Sequence, residues 1–351
     1  MKKVLTVVVP TYNMEKYLHK CLNSLIVHPQ EMELLEVLVI NDGSKDCSFK
    51  IAHEYEQKYP KTFRVIDKEN GNYGSCINRG LKEAQGKYIK VLDADDYFET
   101  STLEDFLKFL SRIDVELIIS DYCTINLNGK VTFRYTFPFP VKQPFSMERV
   151  KERDEIPMHA ITYKTECLRE IGYKQTEGIS YTDVEWCFFP MIAVNQILYF
   201  NKNLYCYLIG REGQTMDSNI RIKNFWMLVA VLRQLIEWFS SSLYDKGMAE
   251  YYLKGKIRRI ASTVYSGYIR NKKVLKEEEL IDLDLYIRQS SPLLYAEMDK
   301  YLLDKYIPLK FIKAWRMKRM AILSLCIHSQ SFINRLRRYW MSLKRIIARN
   351  K

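Results

Sequence analysis

The chain has 351 residues, 47% of them apolar, and a formal net charge of +12. That length suits one large domain or two moderate ones, and no stretch reaches the roughly 18 apolar residues of a membrane span. Eight cysteines fall without C-x-x-C pairs, which argues against a zinc site or a disulfide framework and fits a reducing compartment.

Val4–Val9 is a continuous apolar run that leads straight into Pro10-Thr11-Tyr12-Asn13 without a small-residue cleavage site, so it reads as a first strand rather than a signal peptide. A helix follows, with Asn13 expected as its cap and Leu18, Cys21, Leu22 and Leu25 on one face. Residues 36–40 form a second strand ending in Asn41-Asp42-Gly43-Ser44. The next helix carries Ile51, Ala52, Tyr55 and Tyr59 and stops at Pro60. Residues 63–66 are a third strand, and Gly71 and Gly74 bracket a loop. A helix with Ile77, Leu81 and Ala84 is expected to close at Gly86. The strand 87–92 ends in Asp93-Ala94-Asp95-Asp96. Leu103, Phe106, Leu107 and Leu110 mark another helix before the strand 115–120, and Asn128-Gly129 turns a hairpin over 122–135. From about Asn219 the helical period dominates, with Trp226, Val229, Leu232, Ile236 and Phe239 as one stripe.

Alternating strands and helices with near-continuous apolar strands imply an α/β fold whose mostly parallel sheet is covered on both faces. The predicted division is an α/β domain over 1–218 and a helical region over 219–351. In such sheets ligands bind at the carboxyl ends of the strands. Asp93, Asp95 and Asp96 crowd one of these ends, where like charges repel unless a hard divalent ion offsets them. Asp42 can accept a base imide N–H, Tyr12 can cover a base face, Asp93 can accept from ribose hydroxyls, and Asp95 can ligate the metal. The Gly71–Gly74 loop can approach phosphate closely. Neither G-x-G-x-x-G nor a P-loop is present, which argues against a dinucleotide dehydrogenase and an ATPase.

Four segments in order carry a resemblance. Residues 7–13 (VVVPTYN), 39–46 (VINDGSKD), 72–80 (NYGSCINRG) and 88–96 (YIKVLDADD) resemble the motifs of the family 2 glycosyltransferases. The resemblance implies a GT-A fold binding a nucleoside-diphosphate sugar, with UDP favoured, through Mn²⁺ or Mg²⁺. It would place Pro10, Thr11, Tyr12, Asp42, Gly74, Asn78 and Asp93 on the nucleotide sugar and Asp95 on the cation. The family also needs a base after the D-x-D. In residues 178–186 (GISYTDVEW), Thr182 stands where a Glu is usual and Asp183 holds the expected position. Inverting transfer needs one carboxylate to take the acceptor proton, and Asp183 is the candidate, with Glu185 and Glu177 as fallbacks. Residues 207–215 (YLIGREGQT) resemble a segment that closes over the diphosphate, where Arg211 could pair with phosphate oxygens. His159 is a candidate lining of the acceptor cleft.

Residues 305–351 hold 13 Lys or Arg and no Asp or Glu, so the rest of the chain is nearly neutral. Phe332, Leu336, Tyr339, Leu343 and Ile346 lie on one helical face with Arg338, Arg345 and Arg349 on another, and residues 311–320 mix aromatics and bases similarly. Such a tail, taken over 309–351, suits a helix lying in an anionic membrane interface. Its competitors are packing on its own domain or on a second subunit of a homodimer. No nucleic-acid motif accompanies it. The expectation is therefore a metal-dependent inverting glycosyltransferase, peripheral at the inner face of the cytoplasmic membrane. It would extend a saccharide or lipid-linked saccharide in surface polysaccharide synthesis. The alternatives are a metal-dependent nucleotidyltransferase, for which Pro10-Thr11-Tyr12-Asn13 offers no triphosphate loop, and a sugar-nucleotide-binding scaffold without turnover.

Overall fold

The computed structural model describes residues 2–318 apart from 153, 215–216, 242–244 and 305–306. Two compact units emerge: residues 1–221 with 243–253, and residues 222–242 with 254–351.

In chain order the first unit begins β1 (Leu5–Thr11), α1 (Glu15–Asn23), α2 (Pro29–Met32), β2 (Leu35–Asn41), α3 (Ser48–Lys58), β3 (Phe63–Asp67), α4 (Asn72–Glu83) and β4 (Tyr88–Val91). It continues with β5 (Tyr97–Phe98), α5 (Thr100–Leu110), β6 (Leu117–Ile125), β7 (Val131–Tyr135), β8 (Phe145–Ser146), β9 (Ile161–Lys164), α6 (Thr165–Glu170), α7 (Asp183–Trp186) and β10 (Gln196–Leu208). The sheet order is β3-β2-β1-β4-β9-β6-β10-β5. Its first four strands are parallel, as their apolar runs imply. Every residue of β2 and β4 is buried, so both sheet faces are covered. Beyond β4 the sheet is mixed. β9 enters antiparallel between β4 and β6, β10 runs parallel to β6, and β7 folds back on β6 as the predicted hairpin.

β1 pairs with β2 on one side and β4 on the other, both parallel. The chain order reverses there, which leaves a crevice outside the strand ends. Two local expectations change. Met14, not Asn13, is the cap residue of α1. Asn13 takes a left-handed φ of 54°, and its Oδ1 accepts from the Lys45 N–H at 2.8 Å, tying the ends of β1 and β2 together. Gly86 does not cap α4, which ends at Glu83 with Ala84 as its cap residue. A Cβ on Gly86 would lie 2.4 Å from the Thr6 nitrogen, so the residue is small because β1 passes against it.

After α8 (Ser218–Lys223), the second unit is mainly helical: α9 (Phe225–Ser240), most of α10 (Glu250–Arg270), α11 (Glu277–Ser290), α12 (Pro292–Met298) and α13 (Phe311–Arg316), with the short pair β11 (Leu302–Asp304) and β12 (Ile307–Lys310). In α9, Val229, Leu232, Ile236 and Phe239 are buried as their spacing predicts. Trp226 is instead half exposed, and Phe225 takes the buried position beside Gly267. Phe311, Ile312, Ala314 and Trp315 are also buried, so α13 is a core helix and not part of an interfacial surface. Trp315 meets Tyr265 edge-on, and Arg316 pairs with Asp284 and Asp299. The amphipathic pattern over 332–346 lies outside the described residues. No described helix is long and apolar enough to cross a membrane.

Candidate active site

A cavity of about 430 Å³ opens at the carboxyl ends of β1, β2 and β4. Pro10, Thr11 and Tyr12 reach it from β1 and the turn after it, Asp42 from the end of β2, and Asp93 and Asp95 from the end of β4. Asp183 arrives on α7 and Arg211 from the loop after β10. Eight of the ten residues singled out by sequence thus line one cavity.

Gly74 and Asn78 do not line it. A Cβ on Gly74 would sit 1.9 Å from the Thr176 carbonyl oxygen, so this glycine lets α4 touch the 175–178 segment. Asn78 grips the same segment: its Nδ2 donates to the Gln175 carbonyl and to Glu177, both at 2.8 Å, and its Oδ1 accepts from the Gln175 N–H at 2.8 Å. Both residues brace the loop that leads to Asp183, and the expected phosphate contact is not what they make here.

The acidic rim is electrostatically strained. Burial, reinforced by Asp95 and Asp183, pushes the Asp93 carboxyl up to about 7, against the Tyr73 hydroxyl that donates to it at 3.0 Å. Arg211 Nε donates to Asp95 Oδ2, and its Nη1 donates to the Glu212 carbonyl. Asp96 plays a different part. It is buried, its Oδ2 accepts from Tyr205 at 2.6 Å, and its Oδ1 accepts from the Leu208 N–H at 2.7 Å. It anchors β10 to the strand end. Burial, then Asp95 and Asp93, raise its pKa well above the ordinary range.

His159 joins the rim. Donor atoms of Asp93, Asp96 and His159 lie within 4.8 Å of one another. Burial and the charge of Lys90 hold the imidazole pKa down at about 3, so it is neutral, and its buried Nδ1 has no hydrogen-bond partner among the described residues. The donor set fits a hard divalent ion: carboxylate oxygens crowded enough to repel, with an unfilled imidazole nitrogen beside them. Asp96 is the poorest of these donors, because both its oxygens already accept hydrogen bonds.

Of the three carboxylates considered as base, Asp183 alone lines the cavity. Glu185 is fully buried and its Oε2 accepts from the Thr176 N–H at 2.7 Å, while Glu177 is held by Asn78. Thr182, in place of the usual Glu, is buried and accepts from Gln175 at 2.9 Å. Asp42 Oδ1 accepts from Lys68 Nζ at 2.5 Å and from the Gly71 N–H at 2.9 Å.

Sequence reading missed several neighbours. Tyr73 belongs to the third motif and could have been marked as an aromatic beside the glycine loop. Gln214 closes the loop after β10 by donating to the Leu208 carbonyl and accepting from the Gly210 N–H. Tyr207 lines the cavity too; it opens the 207–215 segment, but no role was given to it from sequence. Asn13, Asn72 and Tyr181 all carry positive φ, and each is in or next to the cavity lining. Left-handed non-glycine residues cost free energy and gather where a site needs a particular backbone path.

The family model for glycosyl transferase family 2 matches residues 6–167. An uncharacterized glycosyltransferase of Mycoplasma genitalium is 38% identical over 284 residues, covering 80% of this chain and 87% of the relative. The chain belongs to glycosyl transferase family 2. Another relative in the family comparison is the minor teichoic acid biosynthesis protein GgaB of Bacillus subtilis, 31% identical over 68% of this chain but only 26% of its own length. Among solved structures, S. aureus TarS 1-349 in complex with UDP-GlcNAc superposes with a TM-score of 0.63 at 21% identity, covering 94% of this chain and 92% of that one. This likeness shows the fold, which is GT-A with a helical C-terminal region.

Proposed function

We propose that the first unit transfers a sugar, with inversion, from a UDP-sugar to a hydroxyl of a saccharide or lipid-linked saccharide in surface polysaccharide assembly. One observation carries this reading: Asp93 and Asp95 at a strand end and Asp183 on a separate helix line the same cavity. Two carboxylates on the diphosphate side and one apart from them suit a reaction that needs a cation at the leaving group and a base at the acceptor.

Asp183 takes the proton of the acceptor hydroxyl as its oxygen bonds to the anomeric carbon on the face opposite the diphosphate. The bond from that carbon to the diphosphate oxygen breaks, and the pair stays with UDP. A divalent cation, Mn²⁺ or Mg²⁺, would be held by Asp95 with Asp93 and would offset charge on the departing diphosphate. Arg211 supplies a second positive group toward the same oxygens. Asp42 and Tyr12 form the base end of the cavity, with Pro10 and Thr11 as its wall. The choice of a UDP-sugar is supported by the fold neighbour TarS, solved in complex with UDP-GlcNAc, and that of a cell-surface acceptor by relatives whose names specify teichoic acid biosynthesis and poly(ribitol-phosphate) β-N-acetylglucosaminyl transfer.

The test is a panel of nucleotide sugars with Mn²⁺ or Mg²⁺, read as release of UDP. Asp183→Asn should bind UDP as the parent does and lose turnover. Equal turnover by Asp183→Asn would end the assignment of the base. The basic tail would hold the enzyme at the inner membrane face, and a chain ending at residue 318 should then leave anionic vesicles that the full chain binds. Unchanged co-sedimentation would count against the tail.

A further inference from the structure

Asp42 reaches the cavity from the end of β2, but the residue that supports it stands outside the lining. β2 and β3 run parallel with Asn41 opposite Asp67, and the Lys68 N–H continues the ladder to the Asn41 carbonyl at 3.0 Å. Asp42 and Lys68 therefore leave the sheet side by side. Lys68 Nζ donates to Asp42 Oδ1 at 2.5 Å, to the Glu69 carbonyl at 2.6 Å and to Ser75 Oγ at 2.9 Å. Gly71 completes this wall. Its N–H donates to Asp42 Oδ1 at 2.9 Å, and a Cβ on it would lie 2.7 Å from Ser75 Oγ and 3.2 Å from Lys68 Nζ.

An ammonium has three N–H donors, and Lys68 has three acceptors inside the wall. No donor is left over for a phosphate, so Lys68 serves Asp42 and not the diphosphate. A carboxylate balanced in this way only accepts hydrogen bonds. The Cys76 thiol, in the cavity lining, lies against the same carboxylate. Burial, then Asp42, push its pKa up to about 12, so it keeps its proton and is a weak donor that a base N–H can displace. Uracil offers N3–H to such an acceptor. Cytosine offers a bare ring nitrogen at the same place, and two acceptors facing each other without a proton repel.

We propose that Lys68 is a positioning residue that sets base specificity: it holds Asp42 as an anionic acceptor, so that the cavity takes a base with a ring N–H and rejects cytosine. The proposal rests on the reading of Asp42 as the base end of the cavity. Without Lys68 the carboxyl loses both its counter-charge and an anchor on Oδ1. It can then turn, or take a proton and donate as well as accept. Either change weakens the contact with uracil and opens one with cytosine.

The test is calorimetric titration of the full chain with UDP and with CDP, both in Mn²⁺. The two nucleotides share ribose and diphosphate, so the ratio of their affinities reports the base alone. The parent should bind UDP about a hundredfold more tightly than CDP. Lys68→Met should cut that ratio about tenfold. Lys68→Gln, which keeps donors for Glu69 and Ser75, should cut it about threefold. Asp42→Asn should bring the ratio near one, since an amide can present either its oxygen or its NH₂. Circular dichroism checks the fold of each variant, and if Lys68→Met does not fold, Lys68→Gln decides. An unchanged ratio in the Lys68 variants overturns the proposal even where both affinities fall, because a purely structural role would give that result. So does parent-like selectivity in Asp42→Asn. A parent that binds both nucleotides equally overturns this proposal alone, whereas a parent that binds neither overturns it together with the nucleotide-sugar reading.

Discussion

Two Asp–Arg–Tyr clusters in this chain use the same side chains to opposite ends. In the helical unit, Asp284 takes Nε and Nη2 of Arg316 and the hydroxyls of Tyr265 and Tyr295, while Nη1 of Arg316 is satisfied by Asp299 and the Tyr295 carbonyl. The guanidinium also lies 3.5 Å from the Tyr295 ring centre. That cluster is closed, with one guanidinium bridging two carboxylates inside the fold. At the strand-end rim, Asp95 takes Nε of Arg211, Asp93 takes Tyr73, and the carboxylates face a cavity. Burial, Asp95 and Asp183 raise the Asp93 pKa there, and Tyr73 and Arg211 offset only part of that rise. A closed cluster stabilises the fold, while an open one is poised to bind charge.

Mutations should separate the two. The largest expected effect is at the open cluster: Asp183→Asn should lower turnover on the order of 10³-fold with little change in melting temperature. At the closed cluster, Arg316→Ala should cost about 3–5 kcal/mol of stability, because it leaves Asp284 buried without its counter-charge. Chemical denaturation would measure this, and a loss below about 1 kcal/mol would break the comparison. Arg211→Ala should raise the donor KM about tenfold, the effect of removing one charge-assisted contact. The smallest effect is in pH. With its pKa raised from 3.8 to about 7, Asp93 keeps its proton in the folded chain where the unfolded chain has lost it. This contribution to stability is complete below about pH 4 and fades as pH rises through 7. Added Mn²⁺ should therefore raise the melting temperature by a few degrees more at pH 8 than at pH 5. An equal shift at both values would mean that Asp93 does not face the ion.

Much of the rim was legible because its residues are local to motifs. Pro10 to Tyr12, Asp42 and Asp93 to Asp95 each end a strand whose apolar run announces it, and parallel strands bring such ends together. Asp183 and Arg211 were also found from their motif surroundings. Gly74 and Asn78 were not read correctly, since their partners at 175–178 lie about a hundred residues away and no periodicity marks them. The same limit applies to Phe311–Trp315. A segment of mixed aromatics and bases looks alike in sequence whether it meets lipid or its own core.

The sequence by itself determined the main strands and helices up to about residue 135, the strand-end motifs and the charge imbalance of the tail, because these depend on neighbours within a turn or a strand. Tertiary structure decided which carboxylates share the cavity, that Asp96 anchors β10 while Asp93 and Asp95 stay open, and that Lys68 backs Asp42. These facts depend on sheet register and on contacts between residues far apart in the chain. Burial and charge pairing at such contacts are properties of the assembled fold, and no local pattern carries them.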